Sequence, residues 1–126
     1  MPYQQETKKQ KFIREINQTL AKLAERLYPD IAVIDGFYGM QGNGPVDGDP
    51  VNSQLAIAST DFLAADAVGA AVMGIDVQNI GYLCLASKAG LGEIDFRNIK
   101  ILGNSIRDCM KPYRSHDTIE EQLKWR

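Results

Sequence analysis

A chain of 126 residues, 44% apolar and 24% charged, is long enough to bury a core as one domain and too apolar for intrinsic disorder. Its formal net charge is −2, but residues 27–87 contain no lysine or arginine and seven aspartates, so no phosphate-tracking surface runs through the middle of the chain and nucleic acid is not an expected partner. Two isolated cysteines, Cys84 and Cys109, provide neither a disulfide framework nor a clustered metal set, and they suit a reducing compartment.

The opening residues 1–18 are charged where a signal peptide needs an apolar run. No stretch of about 18 apolar residues follows anywhere, so the expected setting is cytoplasmic, with no membrane partner. From Thr7 to Tyr28 the apolar residues Phe12, Ile13, Ile16, Leu20, Leu23 and Leu27 recur at spacings of three and four among charged ones, which predicts an amphipathic helix over 7–28 stopped by Pro29 and Asp30. Ile31 to Ile34 reads as a short strand covered on both faces. The fifteen residues that follow Asp35 hold five of the eleven glycines and two of the five prolines, a composition read as a long structured loop.

Gln54 to Ser59 reads as a second strand, and Ser59 or Thr60 as the cap of a helix from Asp61 to Met73 built of small residues and closed by Gly74. A further helix is expected over Ile80–Ala89, and a last strand over Ile99–Leu102. The polar tail 104–126 is expected to end in a short helix, with Asp117 or Thr118 in capping-box spacing to Glu120 or Glu121. These elements give a single α/β domain over 1–126: a helix at 7–28, a core at 31–103 and a tail at 104–126. The fold class is α/β, a small layered sheet with helices and a glycine-rich loop after the first strand.

Gly42, Gly44 and Gly48 imitate a phosphate-binding pattern, but Pro45 and Pro50 lead into a strand where a dinucleotide fingerprint requires a helix N-terminus. The loop serves better as a backbone-lined ligand site near a strand end, with Asp35, Gly42, Asn43, Gly44, Asp61 and Asp66 as candidate ligand-binding residues. Turn and capping roles compete for every one of these aspartates. Asp66 is the one charge between Phe62 and Ile75, so if buried it must accept backbone N–H bonds from the loop, meet a cation or carry a proton. The first of these is expected. Asp61 falls in a first helical turn, where a negative charge meets the positive end of the helix dipole. The lone histidine, His116, lies in the tail, so acid–base chemistry would fall to aspartates or Tyr38.

Three stretches, DGFYGMQGNGPVDGDP from Asp35, STDFLAADAVGAAVMGID from Ser59 and GLGEIDFRNIKILG from Gly90, resemble in order and spacing the C-terminal part of the domain-of-unknown-function family numbered 362, sometimes found in iron–sulfur proteins. The resemblance runs over about residues 9–103. The most specific element is Gly42-Asn43-Gly44-Pro45 with Asp61 and Asp66 beyond it; Phe62 stands where the family usually has proline. Members are usually longer, with an upstream half rich in lysine and histidine. The resemblance therefore implies a ligand- or substrate-binding module, one half of a composite enzyme completed by a second subunit or a homo-oligomer with a basic surface. The alternative is a structural or interaction domain with no catalytic site. Cofactors and reaction stay open, and two unclustered cysteines cannot supply the four ligands of an iron–sulfur cluster.

Overall fold

A computed structural model describes residues 6–126; the first five residues of the charged opening stretch, and of the single-domain span, lie outside the described part. Helix α1 (Lys8–Ala24) precedes a hairpin of strands β1 (Ala32–Asn43) and β2 (Asp47–Ser59). Helix α2 (Phe62–Val72), a 3-10 turn (Val77–Asn79) and helix α3 (Gly81–Lys88) follow, then the single turns α4 (Ile106–Cys109) and α5 (Ile119–Gln122). The fold is mixed α/β, as its sequence pattern predicts.

Helix α1 begins in a reciprocal capping box: the Gln10 amide donates to Thr7 Oγ1 at 3.2 Å, and the Thr7 amide to Gln10 Oε1 at 2.9 Å. It ends at Ala24, earlier than predicted, and Leu27 lies in a closing turn. The face α1 turns to α3 is not its leucine-rich arc. Ala21 is buried there, and Asn17 donates to its own helix at Ile13 O (2.8 Å) while its Oδ1 accepts the Tyr82 amide at 2.8 Å. Asn17 thereby caps α3, whose own N-cap residue, Ile80, has no capping side chain. Gly81 allows that approach, because a Cβ on it would lie 2.6 Å from Asn17 Oδ1 and 2.7 Å from the Trp125 ring.

The glycine-rich stretch is not a loop. Residues 32–43 and 47–59 pair antiparallel almost to the tip, with Asn43 opposite Asp47 and Ala32 opposite Ser59. Glycine and proline forbid a central strand, but in a two-stranded ribbon each strand keeps one free edge, where Pro50 needs no ladder partner. Between Gly36–Tyr38 and Asn52–Leu55 the register slips by one residue, and Gln54 there takes φ +53°. The expectation that Ile31–Ile34 is covered on both faces fails on one side. Ile34 and Ile57 approach Gly69 of α2, whereas Val33 is 69% exposed on the outer face.

The core gathers Leu63, Ala67, Val77, Leu83, Cys84, Ala86, Ile94 and, from the end of the chain, Trp125. Ile99–Leu102 forms no strand; a groove of about 810 Å³ separates it from the outer edge of β2. The tail is not loose: the Lys111 and Tyr113 amides donate to Val72 O and Met73 O, both at 2.8 Å, and strap it to the end of α2. Thr118 precedes α5 without capping it, because its hydroxyl engages the His116 ring and accepts from Gln122 Nε2. Among the described residues no helix is long and apolar enough to cross a membrane.

Candidate functional site

The six candidate residues fall in four places. Asp35 lies on the exposed face of β1 and folds back on its own chain, accepting the Phe37 amide at 3.0 Å. Gly42, Asn43 and Gly44 lie at the hairpin tip, which the tail grips through side chains that sequence reasoning passed over. Asn43 Nδ2 donates to Asp117 Oδ2 at 2.7 Å, and the Asp117 amide returns a bond to Asn43 Oδ1 at 3.0 Å. The Gly42 amide donates to Arg114 O at 2.8 Å, and the Arg114 amide to Gln41 Oε1 at 2.9 Å. Gly42 has φ +74°, and any Cβ there would meet the Arg114 guanidinium.

Further along the same seam, Ser53 Oγ and Tyr113 Oη are 2.7 Å apart, Lys111 reaches Asn52 O, and Arg114 pairs with Asp49. Both members of that ion pair are more than half exposed, so its contribution is small. The hairpin's polar groups thus engage the tail across 59 to 74 positions of chain, and the arrangement is a latch between hairpin and tail.

Asp61 is the N-cap of α2, where neither Ser59 nor Thr60 serves. Oδ1 accepts the Ala64 amide at 3.0 Å and Oδ2 the Glu93 amide at 2.8 Å, while Ser59 Oγ accepts the Asp61 amide at 3.0 Å. The 93–98 turn beyond it is an acidic knot: Glu93 accepts the Ile94 and Asp95 amides and Asn98, and those bonds, led by the Asp95 amide, hold its carboxyl below the usual range. Arg97 beside Asp95 lowers that carboxyl to about 2.

Asp66 makes no bond to the hairpin; the expected anchoring of the glycine-rich stretch is absent because Asp66 points from α2 toward α1 and α3. It lines a cleft of about 440 Å³ walled by Leu20, Leu23 and Leu27 of the α1 segment, by Phe62 and Leu63, and by Tyr82 and Ala86 of α3. Asp66 and Tyr82 are the polar side chains in this wall. Burial raises the Asp66 carboxyl above its ordinary value, and burial together with the Asp66 charge raises the Tyr82 phenol. Among the described residues Asp66 has neither a hydrogen-bond donor nor an ion-pair partner. Its position as a lone charge in a small, apolar helix signalled it in the sequence; Tyr82 carried no comparable signal.

Asp35, Asp47, Asp49 and Asp61 do not converge. They are strung along the ribbon and past its end, and among the described residues no three His, Cys, Asp or Glu side chains are placed to hold a metal ion. Cys84 and Cys109 are free; Cys84 is buried, and burial raises its thiol.

The family described as Domain of unknown function (DUF362) matches residues 2–71. That match covers α1, the hairpin and most of α2, and stops short of the Gly90 stretch. A protein described as "Thylakoid-associated protein sll1697", from Synechocystis sp., is 32% identical over 74 residues. The alignment spans 59% of this chain and 23% of that relative's length. No solved structure matches the chain.

Proposed function

This chain belongs to the Domain of unknown function (DUF362) family, and on that premise we propose that it is an interaction module: one half of a composite α/β unit completed by a second polypeptide. The observation that carries this is the bare arc of α1. Ile13 packs inward against the core, but Ile16, Leu20, Leu23 and, in the turn beyond the helix, Leu27 follow the 4-3-4 spacing of a helix–helix seam, yet Leu27 is 70% and Leu23 50% exposed, and Phe12 beside them 64%. A contiguous apolar strip on one flank of a 17-residue helix, about 25 Å long, is what a packed partner covers. The outer face of the hairpin, with Val33 and the edge-to-face pair Phe37 and Tyr38, supports the same reading.

The relative's much greater length supports a partner drawn from the rest of the family architecture, with this chain standing for the family's C-terminal part. Exposed Asp30, Asp35 and Asp47 favour a basic surface on that partner. Free Cys84 and Cys109 favour the reducing, cytoplasmic side of the cell.

Sedimentation velocity tests the reading: the chain alone over a concentration series, then mixed with a separately expressed polypeptide corresponding to the part of the Synechocystis relative outside the 74 matched residues. A complex abolished by Phe12→Lys with Leu27→Lys, while the helical circular dichroism signal persists, supports it. A monomer in both settings overturns it.

A further inference from the structure

The chemistry of the partner is written in the cleft between α1, α2 and α3. We infer that this cleft seats a basic side chain, projecting from an apolar segment of the partner, with Asp66 as its counter-charge and Tyr82 beside it. The inference rests on the reading that another polypeptide covers α1, and it states what that polypeptide must carry.

Three observations support it. The first is charge complementarity: Asp66 sits in a wall that is otherwise apolar except for Tyr82, without a donor or ion partner among the described residues. The carboxylate is half-buried and partly desolvated with its oxygens still open to solvent, so an arriving cation or donor would be favoured there. Among the described residues no cation pairs with it. Residues 27–87 have no lysine or arginine, and Lys22 and Arg26 at the end of α1 make no ion pair with Asp66.

The second is continuity. Leu20, Leu23 and Leu27 belong both to the cleft wall and to the exposed arc of α1, so whatever lies along the arc passes over the mouth of the cleft. The third is shape. At about 440 Å³ the cleft is within the usual range for a site that takes a long side chain or a small ligand, and its apolar wall suits the methylene stem of a lysine while the ammonium reaches Asp66.

Two amphipathic helical peptides test this: one with leucines along one face and a single lysine in the middle of that face, and a twin with norleucine in its place. Binding to the full chain is measured by titration calorimetry for wild type, Asp66→Asn and Asp66→Ser, with circular dichroism reporting that each variant is folded. A charge-assisted bond in a partly desolvated site predicts that wild type prefers the lysine peptide by about tenfold. Both variants should bind the twins equally. No lysine preference in wild type, or a preference that survives in the variants, refutes the seat. So does binding of free hexylammonium at Asp66 with no binding of either peptide, which would make the cleft a small-molecule site. A sedimenting complex without lysine preference refutes the seat and leaves the module reading standing; a strict monomer with an intact, Asp66-dependent preference does the reverse.

Discussion

Replacing Asp61 with alanine separates a structural carboxylate from a ligand-binding one, because both of its oxygens are already committed. Oδ1 caps α2 through the Ala64 amide, and Oδ2 holds the Glu93 amide from 32 residues further along the chain. Losing an N-cap costs about 1 kcal/mol. Leaving the part-buried Glu93 amide without an acceptor costs about 1 kcal/mol more. The sum, about 2 kcal/mol, corresponds to a fall of about 8 °C in melting temperature for a domain of this size. Asp61→Asn keeps a cap-competent oxygen for Ala64 but turns an N–H toward Glu93, so it should lose about half as much. Thermal and urea melts followed by circular dichroism read both variants, and amide exchange at Glu93 should rise in each. If Asp61→Ala unfolds within about 0.5 kcal/mol of wild type, the carboxylate does not tie α2 to the 93–98 turn, and a ligand role for it regains weight.

Gly39→Ala should destabilise by about 1–3 kcal/mol, since a Cβ there would overlap the Tyr113 hydroxyl and sit 2.7 Å from its ring; loss of amide protection at Gly42 would show the latch opening with it. Asp66 has a folded-state pKa above its unfolded value, so its ionisation works against the fold. The stability of wild type relative to Asp66→Asn should fall as pH rises from about 3.9 through the folded-state value, then level off; urea melts across that range that stay parallel would contradict the burial argument. Asp95, lowered to about 2 chiefly by the Arg97 side chain, contributes in the opposite sense, with stability present above the unfolded value of about 3.9 and lost as pH falls through about 2. A carbon-detected titration should show that carboxyl returning toward its ordinary value in Arg97→Ala, and an unmoved midpoint would remove Arg97 as the cause.

Local chemistry was legible in the sequence because it acts over a few residues. Spacing located α1, α2 and α3, and glycine after a helix fixed the ends of α2 and α3 within a turn. Asp66 was visible as a charge out of place. The hairpin was misread because glycine and proline were weighed against a central strand, whereas a two-stranded ribbon is all edge; nothing local says how many strands a sheet will have. Ile99–Leu102 has strand composition but no neighbour to pair with, and a strand without a partner is only extended chain.

Tertiary structure alone decided the rest. The apolar arc of α1 predicted its own burial, yet Asn17 and Ala21 took the contact with α3, because α3 lacks a cap of its own and a polar side chain from a distant helix supplies it. The tail read as a polar segment ending in a short helix. Its Tyr113, Arg114 and Asp117 meet Ser53, Gln41 and Asn43 across 60 to 74 positions, and no pattern within a window of sequence encodes a contact at that separation.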